Sequence, residues 1–337
     1  MTRACPEGIH SYISGIGFHV PERVVTNDDL AAIMDTSDEW IRARTGIQTR
    51  RFVADGEGTT DLAIPAVKQA LKSASLAVDD IDLIIFATTT PDYFAPGSGC
   101  LLQDRMGFPE IGALDIRVQC SGFIYGLSIA DQYIRTGMYR HVLLVGAEVQ
   151  STGMDLSDAG RDVSVIFGDG AGAAVISATE ENRGVMSTHL HSEGKFAREL
   201  WSEVPASGRN PRISVQDVEE GRHWLQMNGR EVFRHAVMRF PQSIMEAVEA
   251  NNLTLEDISL IVPHQANLRI TREVARRLKV PEERVYSNIE RYGNTTAASI
   301  PIALAEAVSE GRVQPEDHVV LVAFGSGFTW ASALIKW

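Results

Sequence analysis

Short apolar runs alternate with amphipathic stretches along the whole chain, and that alternation predicts an α/β architecture. Residues 10–21 alternate and end in proline, which reads as a strand and its exit. Thr26 to Asp29 caps a short helix through Met34, and Thr36 to Ile41 opens another that ends near Gly46. Thr59 and Thr60 cap a longer helix with Leu62, Ala66, Ala70 and Leu71 on one face. The runs 81–87 and 141–146 are apolar almost throughout, as strands covered on both faces require. A helix over 97–107, a strand over 113–118 and a helix reaching about Gly137 lie between them. Residues 150–162 read as a polar loop, and 163–177 read as paired strands around a tight turn at Gly168 to Gly172. After a mixed stretch over 184–226, helical spacing resumes near Asn228, with Val232, Phe233, Ala236, Phe240, Ile244 and Val248 in register.

The pattern repeats. Leu76 to Ile85 matches Leu253 to Val262 nearly type for type, and His141 to Val145 matches His318 to Val322; both pairs are 177 residues apart. This predicts two duplicated βαβαβαββ halves, 1–180 and 181–337, related by a pseudo-twofold axis that turns equivalent strand ends toward each other. His264 is then level with Ala87. Gly137 and Gly311 each end a helix pattern, and counting back equally from them sets Asn294 opposite Cys120. Strand ends are where α/β sheets bind ligands.

Composition narrows the class without redirecting it. The formal charge of −13 over 337 residues argues against a nucleic-acid binder. Cys5, Cys100 and Cys120 show no CxxC spacing and cannot form a disulfide framework, so a reducing, cytoplasmic setting is expected, with no metal ligand set. No run is long and apolar enough for a membrane span, and residues 1–15 lack the apolar stretch of a secretory signal.

Cys120 sits where a strand pattern gives way to a helix pattern, so the helix dipole and free N–H groups are expected to favour its thiolate. A nucleophilic cysteine with His264 and Asn294 admits two chemistries. In a papain-like triad the histidine is a base that asparagine orients. In a decarboxylative condensing site both residues donate hydrogen bonds to a thioester oxygen and stabilise an enolate. The local signature of papain-like proteases is missing around Cys120, and a duplicated α/β pattern fits such a protease poorly. The glycine-rich stretch Ala323 to Trp330 reads as a tight hairpin or as a source of backbone N–H for an oxyanion. No Gly-Lys-Ser/Thr follows it, so it is not a P-loop.

Six motifs in order, Thr36-Ser37-Asp38-Glu39-Trp40-Ile41, Arg44-Thr45-Gly46-Ile47, Phe167-Gly168-Asp169-Gly170-Ala171-Gly172-Ala173, Val262-Pro263-His264-Gln265-Ala266-Asn267, Gly293-Asn294-Thr295 and Ala323-Phe324-Gly325, resemble β-ketoacyl-acyl-carrier-protein synthase III over essentially the whole chain. The resemblance implies a five-layer αβαβα thiolase fold, a homodimer, and no cofactor beyond the coenzyme A thioester that serves as substrate. It implies that Cys120 takes an acyl group from acyl-CoA, with the N–H groups of Cys120 and Ser326 as oxyanion hole. Malonyl-acyl-carrier protein then enters, and His264 and Asn294 stabilise the enolate that attacks acyl-Cys120. It further implies that Trp40 and Arg161 sandwich the adenine of CoA, that Arg44 and Thr45 contact the same ligand, and that Gly229, Phe233 and Asn267 line the pantetheine path. Phe94 would floor the partner subunit's acyl pocket. An arginine face of Arg230, Arg234, Arg269, Arg272, Arg276 and Arg277 would dock the acidic carrier, chiefly through Arg234, Arg269, Arg276 and Arg277. Ser326 and Ala331 stand where the family commonly has glycine, and Arg230 falls where the usual Gly-Asn pair is shifted. A relative specialised for secondary metabolism, or one transferring acyl groups without condensation, is the alternative within the fold. A non-catalytic carrier-binding scaffold is the alternative outside it.

Overall fold

The computed structural model describes residues 8–337, so Cys5 lies outside the described residues. The first sheet is built from β1 (His10–His19), β2 (Leu83–Ala87), β3 (Gly112–Ile116), β4 (His141–Glu148) and β5 (Gly170–Thr179) in the order β1-β5-β4-β2-β3. The second holds β6 (Gly184–Ser192), β7 (Ile258–Pro263), β8 (His318–Gly325) and β9 (Thr329–Lys336) in the order β7-β8-β9-β6. In the first sheet β3, β2 and β4 run parallel and the pairs β4–β5 and β5–β1 are antiparallel. In the second, β7 and β8 are parallel and the pairs β8–β9 and β9–β6 are antiparallel. The second sheet has a single parallel bridge, Ile261 to Val285, where the first has β3.

Helices sort into three layers. Helices α2 (Thr59–Ala74) and α3 (Ser98–Met106) cover the outer face of the first sheet. Helices α5 (Gly229–Ala250) and α6 (Leu268–Leu278) cover the outer face of the second. Between the sheets lie α4 (Gly122–Arg135) and α7 (Ser299–Ser309), buried on several sides among Leu144, Ile176, Val262, Leu321 and Ala333. The result is the αβαβα thiolase arrangement. Helix α1 (Asp38–Thr45) belongs to a small satellite core with Ile41, Ile47, Phe52 and Phe167.

The duplication extends to backbone detail. Ser75 and Asn252 close the matched outer helices with φ of 57° and 56°, and they stand 177 residues apart. Gln119 and Thr296 share the same spacing, with φ of 46° and 51°. Each opens a single 3₁₀ turn, Gln119–Ser121 and Thr296–Ala298, that leads into a central helix.

Two expectations are corrected. Residues 163–177 do not form paired strands: a short helix, Arg161–Ser164, precedes the single strand β5, which runs antiparallel between β1 and β4. The glycines serve close packing rather than a turn. A Cβ on Gly172 would lie 2.6 Å from Pro301 Cβ of α7. Nor is Asn294 the counterpart of Cys120. The matched 3₁₀ turns pair Cys120 with Ala297. Helix α7 has 11 residues against 14 in α4, so counting back from the terminal glycines overshoots by three.

Among the described residues no helix is long and apolar enough to cross a membrane.

Candidate active site

Cys120 lies in the turn after β3, and its side chain is buried. Burial, then the nearby Glu148 carboxylate, pushes its thiol up to about 12, while the N–H groups of Cys120 and Ser326 face the sulphur and pull the other way. The resting group is therefore a thiol, not the expected thiolate. A helix terminus contributes about 0.3–1 kcal/mol, too little against complete removal of a charge from water.

Gly325, the last residue of β8, makes room for the cysteine. A Cβ there would stand 2.7 Å from Cys120 Cβ and 3.1 Å from Sγ. Gly325→Ala is expected to cost about 1–3 kcal/mol through overpacking, and to slow acylation by about tenfold or more through displacement of the thiol. Urea unfolding and single-turnover acylation measure the two effects. The next residue, Ser326, donates its hydroxyl to the Leu200 carbonyl. Its own carbonyl lies 3.1 Å from Thr329 Oγ1, which is 3.2 Å from Ser121 Oγ, so the two turns are laced together.

His264 follows β7, and its N–H donates to the Val322 carbonyl at 2.8 Å. The ring is buried, which lowers its pKa to about 3 and keeps it neutral. Nδ1 is 2.6 Å from Ser299 Oγ, and that oxygen already accepts the Gln265 N–H at 3.4 Å. With the Ser299 hydroxyl as donor to Nδ1, the imidazole proton is assigned to Nε2. Nε2 has no hydrogen-bond partner among the described residues.

Asn294 is also buried. Its Oδ1 accepts the Thr296 N–H at 2.8 Å, its own N–H donates to the Ile166 carbonyl at 2.9 Å, and Nδ2 has no partner among the described residues. The turns of Cys120 and Ala297 meet directly, since a Cβ on Gly122 would be 3.4 Å from Ala297 Cβ. The turn that carries Cys120 is therefore in contact with the turn whose two ends hold Asn294, through Thr296, and His264, through Ser299, while Ser326 faces the sulphur. A thiol beneath two N–H groups, and two neutral side chains with a donor each to spare, can stabilise two separate oxyanions.

The residues expected around CoA divide. Trp40 carries Arg44 at 4.1 Å and Arg161 at 4.9 Å from its ring, so the three sit together. Thr45 is turned inward, its hydroxyl bonded to the Ile41 carbonyl at 2.7 Å. Asn267 caps α6 and donates to the Arg44 carbonyl at 2.9 Å, joining α6 to α1. Gly229 and Phe233 share the first turns of α5, and Arg269 lies 5.3 Å from the Phe233 ring. Phe94 stands apart, 72% exposed, with Arg212 at 4.9 Å from its ring. On the arginine face, Glu273 bonds both Arg276 and Arg277, Glu231 bonds Arg234, and Glu282 lies 3.6 Å from Arg272. Six arginines against three carboxylates leave a net of three positive charges.

Three residues that touch the site's side chains and turns escaped the sequence reading: Ser299, Glu148 and Gly325. The spacing of 177 residues was a usable signal, because it pairs Ser299 with Gly122 and Glu148 with Gly325.

Fold and site together define a condensing acyltransferase of the thiolase class. The family model described as 3-oxoacyl-[acyl-carrier-protein] synthase III matches residues 114–194, and that for its C-terminal part matches residues 248–337. A β-ketoacyl-[acyl-carrier-protein] synthase III of Xanthomonas campestris pv. campestris is 46% identical over 329 residues, spanning 98% of this chain and 99% of that protein. The solved structure of the Thermus thermophilus synthase III is 45% identical, with a TM-score of 0.89 over 97% of this chain and 99% of that one. The priming β-ketosynthase of the R1128 polyketide pathway is 33% identical, with a TM-score of 0.90 over 99% and 98%. The chain belongs to the 3-oxoacyl-[acyl-carrier-protein] synthase III family.

Proposed function

We propose that the chain condenses an acyl-CoA primer with malonyl-acyl-carrier protein through an acyl-Cys120 intermediate and so starts fatty acid chains. The observation that carries this reading is the pair of separate donor sets, one on the Cys120 sulphur and one on His264 and Asn294. Sγ attacks the thioester carbonyl while the N–H groups of Cys120 and Ser326 receive the oxyanion. The C–S bond of the primer breaks, and the thiol proton ends on the sulphur of CoA. Malonyl-carrier then loses carbon dioxide. The electron pair of that bond forms an enolate whose oxygen is met by His264 Nε2–H and Asn294 Nδ2–H. The enolate carbon attacks acyl-Cys120, the C–S bond to Cys120 breaks as the adduct collapses, and the expelled thiolate takes up one proton from water to restore the thiol.

CoA stacks on Trp40 once one of the two guanidiniums swings aside, and Arg44 turns to its phosphates. The carrier docks on the arginine face, steered by a local charge opposite to that of the whole chain. A second copy of the chain covers Phe94 and Tyr93, 72% and 62% exposed, beside the unpaired edge of β3. The setting is cytoplasmic.

Incubation with labelled acetyl-CoA, followed by proteolysis, is expected to place label on the peptide containing Cys120. Adding malonyl-carrier then releases carbon dioxide and 3-oxoacyl-carrier in equal amounts. Label without 3-oxoacyl product would leave acyl transfer alone. No label would return the chain to the scaffold reading. A panel of primers and carriers separates fatty acid initiation from a specialised priming role.

A further inference from the structure

Glu148 takes no part in the steps above, yet it is completely buried at the end of β4, where a carboxylate is costly unless fully bonded. One oxygen, Oε2, is 3.3, 3.0 and 2.7 Å from the hydroxyls of Thr88, Thr89 and Thr90. The Thr89 N–H reaches Oε1 at 3.1 Å and Oε2 at 3.2 Å. The Ala297 N–H is turned toward the same carboxylate. One side chain thus joins the chain after β2, the end of β4 and the turn Thr296–Ala298. Two residues on, Gln150 Nε2 donates to Thr296 Oγ1 at 2.9 Å and grips that turn a second time.

What the turn carries gives these bonds their meaning. At its start, the Thr296 N–H holds Asn294 Oδ1. Just past its end, Ser299 holds His264 Nδ1. The duplication shows the same design used in reverse. In one half, Gly325 is bare at the strand end and the facing turn bears the Cys120 thiol. In the other, the turn bears only the Ala297 methyl, and the strand end bears a long acid.

We infer that Glu148 is a positioning residue for the decarboxylating half of the reaction. Its carboxylate holds the turn 296–298 so that Asn294 and His264 aim their donors at the enolate oxygen. This rests on the condensing reaction proposed above. Burial lifts the Glu148 carboxyl itself to about 7 against the pull of its threonine donors, and in its ionised form it opposes ionisation of Cys120. Its removal therefore acts on the two half-reactions with opposite sign.

Glu148→Gln is expected to lower kcat for condensation by about ten- to a hundredfold, as a misaligned donor pair does, with KM for malonyl-carrier within about twofold. Alkylation of Cys120 by iodoacetamide at neutral pH is expected to speed up severalfold, and single-turnover acetylation is not slowed. Gln150→Ala loosens the same turn without touching the charge. It is expected to slow condensation while leaving alkylation at the wild-type rate. Acylation and condensation slowed alike in Glu148→Gln, or condensation unchanged in both variants, overturns the inference while wild-type activity leaves the condensing reaction standing. A wild-type chain that neither labels Cys120 nor condenses overturns that reaction and the inference with it.

Discussion

The Cys120→Ala enzyme takes up no acyl label from acyl-CoA, and its condensation rate drops by about four orders of magnitude or more. The change is nearly silent for folding. It removes one sulphur from a packed site, worth about 1 kcal/mol, and it leaves both backbone N–H groups of the oxyanion hole in place. The donors on His264 and Asn294 are also untouched, because they are fixed by Ser299 and Thr296 rather than by the cysteine. The variant therefore still releases carbon dioxide from malonyl-carrier, without a 3-oxoacyl product. Carbon dioxide and product measured together, with acyl-enzyme by mass spectrometry, check this. A variant that still condenses would remove Cys120 from the mechanism.

His264→Ala divides the reaction at the other end. Acyl transfer to Cys120 continues, while condensation falls by about 10²–10³, the cost of one oxyanion donor. Single-turnover acylation against steady-state condensation measures the split, and condensation at the wild-type rate would sink the assignment. The same substitution has a signature in stability. Folded His264 stays neutral down to about pH 3, whereas the unfolded chain takes up its proton near 6.5. Between those limits the unfolded state binds more protons, so stability is full above pH 6.5 and declines as pH falls, by about 1.4 kcal/mol per unit. Urea unfolding from pH 7 to pH 4.5 is expected to show a slope smaller by this amount in His264→Ala than in the wild type, because His19, His141 and His235 are also lowered by burial and keep their share.

The strands and the duplication were legible because 81–87, 141–146 and their counterparts are buried on both faces, and burial writes itself as unbroken apolar sequence. Cys120 and His264 stand out in the sequence because few other positions combine such chemistry with a strand end, whereas Asn294 is reached by a count that the structure corrects and sits instead just before the turn 296–298. What escaped depends on distances along and across the chain. The three residues missing from α7 hid the true pairing of Cys120 with Ala297. Ser299 and Glu148 look like ordinary polar residues until the turn between them is seen. Gly170 and Gly172 signal close approach of α7, and Gly168 that of the Tyr292 carbonyl, a tertiary cause that reads locally as a turn. The thiolate expected at Cys120 counted the helix terminus but not the burial. The arginine face looked more basic in sequence than it is, because Glu273, Glu231 and Glu282 fold back onto it.

The central layer bears on how the molecule assembles. Phe123 and Leu127 of α4, and Ile300 and Leu304 of α7, are each fully or almost fully buried in a core shared by both sheets. A large apolar side chain there contributes about 1.5–3 kcal/mol only when both walls exist. Cutting the chain between Thr179 and Gly184 would leave either fragment with a naked greasy face, prone to aggregate. The two halves of this duplicated chain are therefore one folding unit, and a change that loosens the middle layer unfolds both.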